Sequence, residues 1–203
     1  MTTQTTPQTL RLAIIVGSVR GGRFGPVVAR WVAAQAQGHG GFDIDVIDLA
    51  EEDLPLELPA ESPLAAGESY PRPPEMAQLT ERLAAADAFL IVTPEYNHSY
   101  PASLKAAIDW HFLQWQAKPV AFVSYGGMSG GRHAVLHLEN VLIELHAVPV
   151  RTGLSFPMYW QNFGEDGQPT DPMSFEFAKA MFAQLAWWGD ALRTARDRVP
   201  YVA

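Results

Sequence analysis

Residues 12–16 form an unbroken apolar, β-rich run, Leu12-Ala13-Ile14-Ile15-Val16, which stops at Gly17-Ser18-Val19-Arg20-Gly21-Gly22-Arg23-Phe24-Gly25-Pro26. A strand with no polar residue on either side is buried on both faces, which is the situation of a central strand in a parallel sheet. The glycine-rich turn runs straight into a helical pattern. Unpaired N–H groups of a helix start, the Ser18 hydroxyl and the forked donors of Arg20 and Arg23 would therefore meet beyond the strand's end, an arrangement suited to a phosphate. The turn is not a dinucleotide fingerprint, because Val19 stands where the second glycine is needed. Nor is it a Walker A loop, because Arg23 and Phe24 stand at the Lys and Ser/Thr positions. A βα turn that binds nothing is the plain alternative, and the loop alone does not decide between the two.

The rest of the chain repeats the strand-then-helix alternation. Val27, Val28, Trp31, Val32 and Ala34 recur at helical spacing over residues 26–37, and Gly38, Gly40 and Gly41 end that helix. Residues 42–49 alternate as a strand with one partly exposed face. Residues 50–74 are rich in proline and acid and longer than an ordinary βα connection. Helices are predicted over 75–86, 102–112, 132–145 and 173–196, with Pro101 opening the second of these. Strands are predicted over 88–93, 118–125 and 147–151, and a long loop over 155–172.

Five strands alternating with five helices predict an α/β fold, a doubly wound five-stranded parallel sheet with helices on both faces. In the flavodoxin-like order 2-1-3-4-5, ligands bind beyond the carboxyl ends of strands one and three, where strand order reverses. Residues 1–9 read as a disordered leader and 10–203 as one domain.

Two further loops fall at that end of the sheet. One is Thr93-Pro94-Glu95-Tyr96-Asn97-His98-Ser99-Tyr100-Pro101; the other is Ser124-Tyr125-Gly126-Gly127-Met128-Ser129-Gly130-Gly131, whose glycines allow close backbone approach to a flat ligand. A phosphate cradle, an aromatic-and-amide loop and a glycine loop in one crevice describe a mononucleotide with a broad flat ring.

Gly17-Ser18-x-Arg20, Pro94-Glu95-Tyr96-Asn97, Ser124-x-Gly126-Gly127 and Gly130-Gly131, in that order, resemble the NADPH-dependent FMN reductase family of flavodoxin-like flavoproteins, from strand one to about Leu145. The resemblance implies that Ser18 and Arg20 bind the FMN phosphate, with Phe24 and Gly25 closing the cradle. Pro94, Glu95, Tyr96 and Asn97 would border the isoalloxazine and ribityl chain, and Ser124, Tyr125, Gly126 and Gly127 the opposite ring edge. Arg23 stands where many members carry Ser or Thr, and is counted with the site as an extra cation. Some members have Leu-Arg in the helix after the third loop, where this chain has Leu138-Glu139.

The implied activity is hydride transfer from NADPH through bound FMN to a small acceptor, such as free flavin, a quinone or an azo compound, by ping-pong exchange. The flavin carries that chemistry, so no catalytic side chain is expected. A homodimer or homotetramer is expected. A non-enzymatic flavodoxin-type electron carrier that docks with proteins is the rival reading. A response-regulator receiver would need carboxylates where Gly17 and Thr93 stand.

Composition narrows the remaining classes. With 14 basic against 22 acidic residues and a net charge of -8, neither nucleic acid nor an anionic membrane is an expected partner. There is no cysteine, so disulfides, thiolate metal sites and thiol redox catalysis are excluded, and redox work needs a bound cofactor. No signal-like or membrane-spanning stretch is apparent, which points to a cytoplasmic protein.

His133 and His137 lie one helical turn apart, but no third ligand is placed by spacing, and no metal is predicted. His98 reads as a cap of the following helix, with nicotinamide contact as the alternative. Glu165-Asp166 sits in a glycine-flanked turn and reads as solvated. The closing helix shows one apolar side with Phe175, Ala178, Phe182, Leu185 and Leu192 and a second with Phe177, Met181 and Trp188, which asks for a partner copy.

Overall fold

The computed structural model describes residues 9–202, so the expected leader falls, except for Thr9, outside the described residues. In chain order the elements are β1 (Leu10–Val16), α1 (Gly25–His39), β2 (Phe42–Asp48), the short α2 (Pro63–Ala66), α3 (Ala77–Ala85), β3 (Ala88–Pro94), α4 (Ala102–Asp109) and β4 (Pro119–Tyr125). They continue with α5 (Arg132–Glu144), β5 (Val148–Pro149), β6 (Leu154–Phe156), the short α6 (Tyr159–Asn162) and α7 (Met173–Arg198). The sheet order is β2-β1-β3-β4-β5, every pairing is parallel, and β6 also pairs with β4.

β1 sits at the centre because it can be buried on both sides. Leu12, Ile14 and Val16 point to one core with Val28, Trp31, Val32, Leu90, Val92, Met181, Phe182 and Leu185, beneath α1 and α7. Ala13 and Ile15 point the other way, into a core with Ile47, Phe89, Ile91, Leu104, Ile108, Trp115, Leu138 and Leu142, beneath α3, α4 and α5. The period of two along a strand divides these residues between the cores. Each fully buried large aliphatic side chain contributes about 1.5–3 kcal/mol relative to exposure.

The fifth position of the sheet departs from the expected single strand at 147–151. The Val150 amide still donates to Val120 O at 2.9 Å, but the Thr152 amide turns to Gln184 Oε1 of α7 at 3.2 Å. A Cβ on Gly153 would lie 2.8 Å from Phe122 O, so only glycine lets the chain pass there. The chain rejoins the sheet at Leu154, opposite Val123, and Phe156 finishes opposite Tyr125. This broken strand delivers α6 to the end of the sheet where the three loops lie.

Two other expectations are corrected. On α7, Met181 is fully buried beside Ala178, Phe182 and Leu185, so the second apolar side is Phe177 (53% exposed), Trp187 (64%) and Trp188 (38%). The helix at 102–112 ends at Asp109, after which His111 and Trp115 turn inward to the core. Residues 50–74 hold α2 and one 3₁₀ turn (Gly67–Ser69), a second 3₁₀ turn (Pro74–Met76) leads into α3, and Trp110 Nε1 donates to Pro55 O at 2.7 Å. Among the described residues no helix is long and apolar enough to cross a membrane.

At the opposite end of the sheet, the buried Lys118 Nζ donates to Leu83 O at 3.0 Å and Ala84 O at 2.9 Å, closing the end of α3. Burial, reinforced by the neighbouring Arg196, lowers its pKa to about 7. Between that value and the ordinary 10.5 the unfolded chain holds a proton that the folded chain does not, so stability rises with pH across this window. Urea denaturation should find wild-type stability rising by up to about 1.4 kcal/mol per unit between pH 7 and 9 relative to Lys118→Met. Parallel pH profiles for the two proteins would contradict this.

Candidate functional site

The three predicted loops leave the sheet side by side because β1, β3 and β4 are neighbours. The Gly17 amide still donates to Val92 O at 2.9 Å, and the Glu95 amide to Tyr125 O at 3.2 Å, so the pairing extends past the strands into the loops. Ser18 is buried at the meeting point. Its Oγ lies 2.8 Å from the Tyr96 hydroxyl of the second loop, and the Tyr125 hydroxyl at the end of β4 stands near it. Burial, with the Tyr96 hydroxyl beside it, pushes the Tyr125 hydroxyl up from its ordinary value, so it stays protonated. Gly25 starts α1 directly against this group: a Cβ there would lie 3.0 Å from both the Tyr125 hydroxyl and Val16 Cγ1.

Ser18, Arg20, Arg23 and Phe24 of the first loop, Pro94, Glu95 and Tyr96 of the second, and Tyr125, Gly126 and Gly127 of the third line one cavity of about 390 Å³. Three predicted residues do not line it. Gly25 is packed beneath it. Ser124 is buried behind the third loop, where its Oγ donates to Gly130 O at 2.8 Å and so fixes that loop. Asn97 is exposed at the tip of a tight turn closed by reciprocal Tyr96–Ser99 hydrogen bonds, with Asn97 and His98 both at positive φ. A larger cavity of about 530 Å³ opens between α5 and α7, and of the predicted residues it contains only Ser124.

The two arginines of the first loop have different surroundings. Arg23 Nη1 donates to Ser18 O at 3.0 Å and to Asp48 Oδ1, so it clamps the loop to the end of β2. Arg20 is exposed, and its guanidinium has no partner among the described residues. Beside it the amides of Val19, Gly21 and Gly22 have no protein acceptor among those residues, and no side chain caps α1. One free cation and a row of free N–H groups fit a phosphate. FMN fits this donor set.

Glu95 does more than border the cavity. Its carboxylate accepts from the His133 amide at 3.1 Å, from His133 Nδ1 at 3.0 Å and from Ser129, and thereby fastens the second loop to the start of α5. Burial alone would raise this carboxyl, but the hydrogen bonds from Ser129 and His133 outweigh it and hold the group below the usual carboxylate value. His98 does not cap α4, which has no side-chain cap. Its ring stacks on His133, with centroids 4.2 Å apart and planes 4° from parallel.

Sequence reasoning assigned no site role to Gly21, Gly22, Tyr159 or Trp160, all of which line the cavity, nor to Asp48, which holds Arg23. The Tyr159 ring lies 4.7 Å from that of Phe24, and Phe163 closes the same cluster at 5.1 Å. The available signal was the aromatic content of 155–172. Its location depended on β6, which the sequence pattern does not reveal.

A parallel sheet of this order, with an anion-ready turn and an aromatic wall at its carboxyl end, defines a flavodoxin-like mononucleotide-binding protein. The family model for NADPH-dependent FMN reductase matches residues 10–161. An NAD(P)H-dependent FMN reductase of Schizosaccharomyces pombe is 34% identical over 151 residues, covering 73% of this chain and 74% of the relative. A quinone reductase of Escherichia coli strain K12 is 34% identical over 144 residues, covering 68% and 72%. The solved structure of FerB, a flavoenzyme NAD(P)H:(acceptor) oxidoreductase from Paracoccus denitrificans, superposes with a TM-score of 0.70 at 26% identity, covering 90% of this chain and 98% of FerB. The chain belongs to the NADPH-dependent FMN reductase family, and so to the NAD(P)H-dependent oxidoreductases that work with FMN.

The fastening of the second loop is open to direct measurement. Because the Glu95 pKa is lowered, its contribution to stability is present above the ordinary value of 4.5 and is lost as the pH falls below it. Glu95→Gln should cost on the order of 1–2 kcal/mol at pH 7, and less at pH 3.5, in thermal or urea unfolding. An equal cost at both pH values would show that the charged hydrogen bonds are not what holds the loop.

Proposed function

We propose that this cavity holds FMN, with the phosphate on Ser18, the Arg20 guanidinium and the amides of Val19, Gly21 and Gly22, and the ring between the second and third loops. NADPH and a small acceptor, such as a free flavin, a quinone or an azo compound, then use the site in turn, in ping-pong fashion. The observation that carries this reading is the unpartnered Arg20 beside uncapped N–H groups, in a first loop whose other arginine is already taken by Asp48.

Bound there, FMN supplies the hydride-accepting and hydride-donating chemistry. The protein's own residues bind, orient and shield. Arg23 and Asp48 fix the loop, so that Ser18 and Arg20 need no rearrangement to meet an anion. Phe24, Tyr125 and Tyr159 form a dry aromatic wall, and the half-exposed Trp160 at the mouth offers a face to a flat molecule. The quinone reductase name of a relative supports a quinone as the acceptor. Phe177, Trp187 and Trp188 support a homodimer or homotetramer, and the cysteine-free sequence fits a cytoplasmic location.

FMN-loaded protein should lose its flavin absorbance on anaerobic addition of NADPH and regain it with a quinone, and light scattering should give at least twice 22.3 kDa. Arg20→Ala should cost about 1.5–3 kcal/mol of FMN affinity, the range for a hydrogen bond to a charged group. Riboflavin, which lacks the phosphate, should bind the wild type far more weakly than FMN. A flavin that stays oxidised with NADPH would favour the electron-carrier reading, and unchanged FMN affinity in the variant would remove Arg20 from the site.

A further inference from the structure

We propose that Glu95, His98 and His133 form a binding site for a first-row transition-metal dication of the zinc, nickel and copper(II) class. The three residues come from separate parts of the chain. Glu95 and His98 belong to the loop after β3, and His133 is the second residue of α5. One ligand atom from each lies within 4.8 Å of the others. The turn at Asn97 and His98 folds the His98 ring back onto His133, while Glu95 Oε1 already meets His133 Nδ1 at 3.0 Å.

The donor set argues for the class of ion. Two imidazoles and one carboxylate suit zinc, nickel and copper(II), whereas magnesium and calcium take oxygen-rich sites. An ion entering between Glu95 and His133 takes the Nδ1 lone pair of the neutral ring, so the ring's single proton moves to Nε2 and the contact of Nδ1 with Oε1 is replaced by two bonds to the ion. Rings that lie parallel cannot aim both lone pairs at one point, so His98 must tilt toward Glu95; its exposed position leaves room for that rotation. The start of α5 repels a cation, and the Glu95 carboxylate that caps it offsets this repulsion. A fourth position is left to solvent or a small anion.

His137, the i,i+4 neighbour of His133, is not one of the three. Its Nδ1 lies 3.1 Å from Ser99 Oγ. The third ligand that sequence spacing does not place thus comes from the turn after β3. Because Glu95 also lines the 390 Å³ cavity, a bound ion would stand at that cavity's wall. The proposal holds whatever the cavity contains.

Calorimetric titration of the tag-free chain with zinc chloride tests it. The wild type should bind one zinc ion per chain. His98→Ala and His133→Ala should each weaken binding by more than the roughly tenfold that loss of an outer-shell partner costs, and His137→Ala should leave it unchanged. His98→Ala alters an exposed turn and guards against a folding defect in the helix variant, and circular dichroism checks both. No saturable binding by the wild type, or binding that survives the His98 substitution, overturns the proposal. Loss in His137→Ala with retention in His98→Ala would move the ion to the α5 pair and equally overturn it.

Discussion

Three loops from three strands meet at one small hydroxyl cluster. Ser18, Tyr96 and Tyr125 come from the ends of β1, β3 and β4, and their oxygens meet because those strands are adjacent and parallel and end at the same level. The backbone bonds of Gly17 to Val92 and of Glu95 to Tyr125 join the same loops, and the cluster adds a side-chain tie across all three. With it, Ser18 is buried and the loop amides beyond it face outward. Gly25 fits closely against the cluster, since a Cβ there would lie 3.0 Å from the Tyr125 hydroxyl and press on it. An unbroken apolar β1 is therefore a condition for the site as well as for the core.

Around that cluster, charge is divided between holding and binding. Arg23 and Glu95 line the cavity, yet both are committed to the protein: one ties the first loop to Asp48, the other ties the second loop to α5. Of the charged side chains that line the cavity, only the Arg20 guanidinium has no protein partner among the described residues. A site whose fixed charges are already satisfied does not reorganise when a ligand enters, which lowers the cost of binding.

The strand order and most of the cavity were legible in the sequence because they depend on local pattern. A doubly apolar strand next to a glycine turn can only be central, and the loops at the ends of three neighbouring strands must then converge. Asp48, Tyr159 and Trp160 were not legible, for a physical reason. Asp48 looks like the end of an alternating strand until Arg23 is seen to reach it, and Tyr159 and Trp160 depend on a strand broken at residues 151–153 by a helix side chain and a glycine. The burial of Met181 was misread because α7 presents apolar residues around most of its circumference. Its register against the sheet is set by close approach at Gly189, where a Cβ would lie 2.8 Å from Leu10 Cδ1, and periodicity does not show that contact.

A crystal structure of the protein soaked with FMN tests the central claim most directly. The phosphate should lie against Ser18 Oγ, the Arg20 guanidinium and the amides of Val19, Gly21 and Gly22, with the Arg23–Asp48 pair intact. A flavin seated in the larger cavity between α5 and α7, or a phosphate that draws Arg23 away from Asp48 while Arg20 stays in solvent, would contradict it.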